Sequence, residues 1–290
     1  MSKTVTRKIL IQIADPSGNK TAFVLSGARP EDYKGIARYI LEQTDYGAEQ
    51  VAFVKSTTAF DMSGMEFCGN AARAFALLSA KGMIDGKASE DSRTVLEVSM
   101  SGGRKPIVCG VDKESCHASA SIPLPKRIKT LKHCEFKPAE GKTVLVMEGI
   151  VHLIADDVEY SEENFDQIRR AMQEQFDPSA LGVMYLNTET LEMTPVVYVR
   201  DVDSTYIEGS CGSGSASAAY WLATHSAEED GTYEYELKQP AGTIHASCTI
   251  DGGEPRALLI EGFVELSSPV FINVEYESGE DEIGAMSDTW

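Results

Sequence analysis

The chain has 290 residues, with 42% hydrophobic and 24% charged side chains, a globular composition with enough apolar material for two cores of ordinary size. Its formal net charge is −19, a field that repels phosphate backbones and argues against nucleic acid as a partner. No apolar run approaches the length of a membrane span, so no membrane partner is expected.

In chain order, the N-terminal segment MSKTVTRKILIQIADPSG has only the short run ILIQI. It lacks a signal-peptide core and cleavage site, and a cytoplasmic protein is expected. Strand-like runs rich in Val, Ile, Thr and Tyr follow: KILIQI, TAFVLS, QVAFVKS, TVLEVSM, KPIVCGV, SCHASASI, KTVLVMEGIVHLIA, PVVYVRD, TYEYELKQ, TIHASCTI and RALLIEGFVEL. Four helices interrupt them. RPEDYKGIARYILEQ carries Pro30 near its first turn and puts Tyr33, Ile36, Ala37 and Ile40 on one face. SEENFDQIRRAMQEQF opens at Ser161 as N-cap and spaces Phe165, Ile168 and Met172 for burial. The other two follow Cys68, in MEFCGNAARA, and Cys211, in EGSCGSGSASAA. IPLPKRIKTLK reads as a basic, Pro-containing linker, and VEYESGEDEIGAMSDTW as a solvated acidic tail.

Each half of the chain thus holds strands, one amphipathic helix, then a Cys-Gly helix start. Cys68 and Cys211 lie about half the chain apart, a repeat too long for a solenoid and suited to a duplicated domain. Of the six cysteines none forms a C-x-x-C pair, and reduced thiols are expected. Cys116-His117 and His133-Cys134 are adjacent pairs; neighbours on a strand point to opposite faces, so no metal site is expected. Cys109, Cys116 and Cys248 fall in strand-like runs and read as small buried hydrophobes.

A helix N-terminus carries unpaired N–H donors and a partial positive charge, so it binds carboxylates and is expected to lower the pKa of a thiol placed there. Two such ends facing each other hold a substrate carboxylate with a thiolate on one face of its α-carbon and a thiol on the other. One removes the α-proton and the other delivers a proton from the opposite side, giving inversion.

FCGNAAR and SCGSGSAS resemble the two active-site motifs of the diaminopimelate epimerase fold, and PSGNKTAFV resembles that fold's first motif. The resemblance spans roughly residues 8–272. It implies an α+β fold of two pseudo-symmetric domains, each a curved, mostly antiparallel sheet around a central helix: residues 1–125 with Cys68, and 126–274 with Cys211, with the option that the last strand returns to the first domain. Residues 275–290 form the acidic tail. Diaminopimelate epimerase itself fits poorly at its distal clamp: Ile150 and Gly182 stand where Asn belongs, and Val202 and Asp203 where Glu and Arg belong. PSGNKTAFV, AEQVAFV, SGMEFCGNA, YIEGSCGSGSAS and YELKQPAGTIHAS are similar to the histidine racemases of this fold, including those that supply D-histidine to opine-type metallophores. That likeness implies a cofactor-independent racemase interconverting L- and D-histidine. Cys68 and Cys211 would be the acid/base pair, and Gly69, Asn70, Gly212 and Ser213 the α-carboxylate site. Asn19 would face the substrate, and Glu49 and Glu208 would hold its ammonium or imidazole. No metal or pyridoxal is implied, and a homodimer is compatible. A racemase or epimerase for another amino acid, such as diaminopimelate, and a non-racemising isomerase of the same fold remain as alternatives.

Overall fold

A computed structural model describes residues 3–43, 45–200 and 203–278. The fold is α+β and dominated by sheet. The first half runs β1 (Lys3–Asp15), β2 (Thr21–Ser26), α1 (Tyr33–Glu42), β3 (Gln50–Ser56), β4 (Ala59–Met62), α2 (Gly69–Ala80), β5 (Arg93–Met100), β6 (Ile107–Asp112) and β7 (His117–Ile122). The second runs β8 (Arg127–Thr130), β9 (Thr143–Val146), β10 (Val151–Asp156), α3 (Glu162–Phe176), β11 (Ala180–Leu186), β12 (Met193–Val199), β13 (Ser204–Ile207), α4 (Gly212–Ser226), β14 (Gly231–Gln239), β15 (Gly242–Asp251), β16 (Glu254–Phe263), β17 (Glu265–Leu266) and β18 (Val270–Ser278).

The halves share a pattern of pairing. In each, two strands pair in parallel across an amphipathic helix: β2 with β3 across α1, and β10 with β11 across α3. In each, an antiparallel meander follows the Cys-led helix: β5-β6-β7 after α2, and β14-β15-β16 after α4. The strands form a twelve-stranded sheet, ordered β14-β15-β16-β7-β6-β5-β4-β3-β2-β1-β17 with β18 also on β1, and a six-stranded sheet, ordered β13-β12-β11-β10-β9-β8. The antiparallel β16–β7 pair carries strands from both sides of residue 125 into one sheet.

The helices show why this sequence settles this way. Ser161 caps α3 by accepting from the Asn164 N–H at 3.2 Å, and the Asn164 side chain reaches back to the Ser161 N–H at 3.3 Å. This is a capping box with Asn in the position usually held by Glu or Gln. Every residue of α2 is buried, and α4 buries Ala216, Ala218 and Ala219. Such helices, built mostly of small residues, suit the centre of a core rather than its surface. Here α2 packs on β5, β6 and β7, while α4 packs on β14–β16 and on β10 and β11.

Some expectations are corrected. KTVLVMEGIVHLIA is two strands, β9 and β10, because Gly149 adopts φ 78 and turns the chain into a hairpin. Cys116 precedes β7 in a turn at φ 54 and is only partly buried. The basic linker contains β8, an edge strand paired with β9. Residues 275–278 of the expected tail belong to β18, paired with the start of β1, and residues 279–290 lie outside the described residues. Among the described residues no group of three His, Cys, Asp or Glu side chains is placed to hold a metal, and no helix is long and apolar enough to cross a membrane.

One buried histidine links the second half to α4. The Ser217 hydroxyl donates to Ser213 O at 2.9 Å, so His152 Nδ1 carries the hydrogen and donates to Ser217 Oγ at 2.9 Å. His152 is fully buried, its Nε2 has no partner, and burial lowers its pKa to about 4. An unfolded histidine binds its proton near pH 6.5, so acid favours the unfolded chain. The expected stability loss begins below pH 6.5, levels off below pH 4, and reaches about 3 kcal/mol. Glu208, with its pKa raised to about 7, acts with the opposite sign as pH rises. Denaturant unfolding between pH 7.5 and 4.5 should therefore show a shallower acid loss in His152→Gln than in the parent chain. Equal slopes would contradict the assignment.

Candidate active site

Cys68 and Cys211 occupy the same position on their helices. Cys68 is the N-cap of α2, with extended backbone at φ −136, and its Sγ accepts from the Ala71 N–H at 3.4 Å. Cys211 is the N-cap of α4 at φ −116, and its Sγ accepts from the Gly214 N–H at 3.3 Å. In each helix the capping sulfur takes one first-turn amide and the cysteine carbonyl takes the next, that of Ala72 or Ser215. Helix geometry leaves the amides of Gly69 and Asn70, and of Gly212 and Ser213, without intrahelical partners.

The two helix starts meet. A side chain on Gly69 would begin 3.0 Å from Ile260 Cδ1, and one on Gly212 would begin 2.8 Å from the same methyl. One β16 side chain therefore floors both motifs, and glycine at both positions lets the helix ends close on it. The Asn70 carboxamide crosses between them, its Nδ2 donating to Ser210 O at 3.4 Å and lying 3.5 Å from Ser210 Oγ. At Gly214 a Cβ would fall 2.2 Å from Met184 Sδ and 3.1 Å from Cys211 Sγ, so Met184 seals the rear of the second thiol.

Side chains from four further segments converge on the pair. Before β2, Asn19 donates from Nδ2 to Glu49 Oε2 at 3.1 Å and accepts from Gln50 Nε2 at 2.5 Å. Gln50 also acts on the Cys68 thiol, favouring its ionised form. On the other side, Glu208 hydrogen-bonds Cys211. The Glu208–Gly209 turn approaches Glu49: a Cβ on Gly209 would lie 3.6 Å from Glu49 Oε1. From β14, Gln239 Oε1 accepts the Cys211 N–H at 2.8 Å, and its Nε2 donates to Ser215 Oγ at 3.0 Å.

The electrostatics differ from the sequence expectation. Burial pushes the Cys68 thiol up to about 12, aided by the fields of Glu66 and Glu208, although the Ala71 N–H and Gln50 oppose it. Burial also raises the Cys211 thiol well above its ordinary value, and the Glu208 charge and hydrogen bond add to the rise. One amide per sulfur does not offset the loss of water, so neither thiol is ionised merely by capping a helix. Glu208 is raised to about 7, first by burial and then by Glu49. Glu49 is also raised by desolvation, against its bond to Asn19. Two carboxylates thus sit beside two thiols, one of them poised near neutrality.

All nine expected site residues fall in this one region. Sequence reasoning missed Gln50, Arg73, Ser210, Gln239 and Met184. Gln50 directly follows Glu49, Arg73 closes FCGNAAR, Ser210 opens SCGSGSAS and Gln239 lies in YELKQPAG, so these four stood inside stretches already singled out. Of the distal positions, Gly182 is closed. Gly182 pairs with His152 on β10, and a Cβ there would lie 2.9 Å from the imidazole, so it has no space for Asn. Asp203 accepts from Tyr198 OH at 2.8 Å. Val202 lies outside the described residues.

This arrangement has the fold of known racemases and epimerases. The chain is similar in structure to a hydroxyproline epimerase from Agrobacterium vitis with bound trans-4-hydroxy-L-proline (TM-score 0.62, 12% identity, 93% of each chain covered). It is also similar to a probable proline racemase from Agrobacterium radiobacter K84 with bound carbonate (TM-score 0.62, 12% identity, 90% of this chain and 92% of that one). Sequence narrows the class to amino acid racemases and epimerases. A histidine racemase of Fusobacterium nucleatum subsp. nucleatum is 32% identical over 213 residues, covering 72% of this chain and 79% of its relative. A histidine racemase of Staphylococcus aureus is 26% identical over 244 residues, covering 79% and 85%. Residues 11–269 match the histidine racemase CntK N-terminal domain, and the chain belongs to that family.

The shared floor makes Gly212 the sharpest steric test of the site. Gly212→Ala places a methyl against Ile260 Cδ1 and 3.2 Å from Asn70 Oδ1. It should cost about 1–3 kcal/mol of stability and, by displacing one helix end, roughly 100-fold in racemisation rate. Thermal melting and polarimetry check both, and racemisation near the parent rate would show that the helix ends need not close.

Proposed function

We propose that the chain is a pyridoxal-independent histidine racemase that inverts the α-carbon by a two-cysteine, two-base mechanism. The observation that carries this reading is the paired helix ends: two cysteine N-caps over one isoleucine, with four first-turn amides left for a carboxylate. We also read the fold as two pseudo-symmetric domains of the diaminopimelate epimerase type. The recurring strand–helix–strand units and meanders support it. Thiols that must stay reduced suit the cytoplasm.

In this mechanism the amides of Gly69, Asn70, Gly212 and Ser213 hold the α-carboxylate. One cysteine, as thiolate, takes the α-proton, and the Cα–H electron pair passes into the carboxylate as a dianion-like enolate. The helix ends stabilise that charge where it grows. The opposite thiol gives its proton to the other face of Cα, leaving a thiolate there. Proton count and charge balance over the turnover, and the enzyme ends with its thiol and thiolate exchanged. Glu208 deprotonates Cys211 before that thiolate takes the α-proton; in the opposite direction, when Cys211 has given its own proton to Cα and is left as thiolate, Glu208 returns the proton to it. Gln50 donates to Cys68 when it is thiolate. Glu49, held by Asn19, faces Glu208 across the pocket, and the two carboxylates suit the ammonium and imidazole of histidine. A closed Gly182 and the lost Asn and Glu-Arg positions leave no clamp for a second amino acid head, which counts against diaminopimelate.

Replacing Cys68 or Cys211 by Ser should abolish net racemisation, since an alcohol is not ionised near neutral pH. Each single variant should still eliminate halide from a β-chloro amino acid, a step that needs one base. Substantial racemisation by either variant would end the two-thiol reading. L-Histidine should lose its circular dichroism much faster than alanine, proline or diaminopimelate, and equal rates on histidine and alanine would remove the substrate assignment.

The pKa of Glu208 makes a separate prediction. Below pH 7 its carboxyl is protonated and cannot take the proton of Cys211. As pH rises through about 7 it ionises and becomes the base. In the parent chain, kcat/KM should therefore climb through a limb near pH 7, and Glu208→Gln should be slower and lack that limb. An unchanged limb in the variant would assign it to another group.

A further inference from the structure

The largest fully buried side chain is an arginine with no carboxylate against it. Arg73 lies one turn after Asn70 on α2 and has no exposed surface, and among the described residues it makes no ion pair within 4.0 Å. Its fork is spent on neutral acceptors. Nε donates to Asn70 Oδ1 at 3.2 Å. Nη1 donates to Gly262 O at 3.1 Å and Phe263 O at 3.4 Å, at the end of β16. Nη2 donates to Ser17 Oγ at 3.0 Å. Burying a guanidinium is costly, and a helix–sheet contact alone would be served by an apolar residue.

We propose that Arg73 is a positioning residue that sets the gap between the two cysteine loops, acting through Asn70 on Ser210 and Cys211. The inference rests on the two-cysteine reading above. An Asn carboxamide has nearly equal lobes, and only its partners decide which end is oxygen. With Arg73 Nε fixed on Oδ1, the Nδ2 end must face Ser210 O, the residue before Cys211. Without that donor, Oδ1 is a buried unpaired acceptor, and a rotated amide sets oxygen against the Ser210 carbonyl and drives the loops apart. A second route runs through Ser17. The Ser17–Gly18 turn lies against the second loop, where a Cβ on Gly209 would meet Gly18 O at 2.5 Å. One guanidinium thus reaches the Cys211 loop from two directions without touching it. Lysine keeps the charge, but its single head cannot serve Asn70, Ser17 and β16 together.

The test compares the parent chain with Arg73→Lys and Arg73→Gln. L-Histidine is incubated in deuterium oxide, and two products are measured: deuterium in recovered L-histidine, and D-histidine formed. Their ratio does not depend on how much protein is folded. If the second cysteine no longer faces the carbanion, the first cysteine reprotonates the original face after its thiol has exchanged with solvent, and the ratio should rise about tenfold in both variants. A second measurement needs no substrate. Backbone hydrogen exchange of the peptide spanning 208–212 should quicken in both variants, although Arg73 bonds none of those residues. Either quantity left at its parent value overturns the proposal, because a merely structural arginine lowers exchange and racemisation together and loosens only Ser17 and β16. If the parent chain fails to exchange the α-proton of histidine, the histidine reading fails, and the 208–212 peptide alone decides the role of Arg73.

Discussion

Two positive helix ends pressed against one isoleucine are the constraint on which the rest of this structure depends. Like poles repel, and the amides of Gly69, Asn70, Gly212 and Ser213 gain no partners from their own helices. The fold accepts that cost by fixing both ends from behind. The meanders β5–β7 and β14–β16 each carry one helix and join at β7–β16, so both helix starts are referenced to a single sheet. Asn70 then crosses the gap to Ser210, Gln239 holds the Cys211 amide, and Met184 closes the rear. In the proposed function, an arrangement unfavourable when empty becomes favourable when a carboxylate enters, which directs binding energy to one functional group.

The thiols follow the same logic. Cys211 is buried and Cys68 partly buried, and desolvation makes both harder to ionise than free cysteine. A base that is weakly solvated and poorly ionised is reactive once formed, provided a nearby group takes its proton. In the mechanism proposed above, Glu208, with a pKa raised to about 7, is that group for Cys211. Cys68 has Gln50 beside it instead, a donor that stabilises thiolate without taking a proton. The two sides of the site are therefore alike in backbone and unlike in side chain. In this account the racemase owes its symmetry to the helices and its proton traffic to the loops.

Much of this was legible in the sequence because it is local. The Cys-Gly helix starts, the Ser161 cap and the Ile36/Ile40 stripe are set by neighbours within a turn, and the structure has each where the pattern predicts. What stayed hidden depends on distant partners. Nothing around Arg73 announces that Ser17 and Gly262 will supply its acceptors, and nothing in YELKQ shows that Gln239 will reach the Cys211 amide. The lowered thiol pKa expected from the helix ends failed for a related reason: the dipole is visible in sequence, whereas the desolvation that outweighs it exists only after packing. The hairpin at Gly149 was missed because two apolar strands separated by a short turn read as one long run, and the tail was read as solvated to its start because β1, its partner in 275–278, lies at the other end of the chain.

The most direct measurement is a crystal structure of the Cys68→Ser, Cys211→Ser chain with L-histidine bound, since serine keeps the geometry and stops the reaction. The account predicts the α-carboxylate within hydrogen-bond distance of the Gly69, Asn70, Gly212 and Ser213 amides, with the two serine oxygens on opposite faces of Cα. A carboxylate held elsewhere, or both oxygens on the same face of Cα, would contradict it.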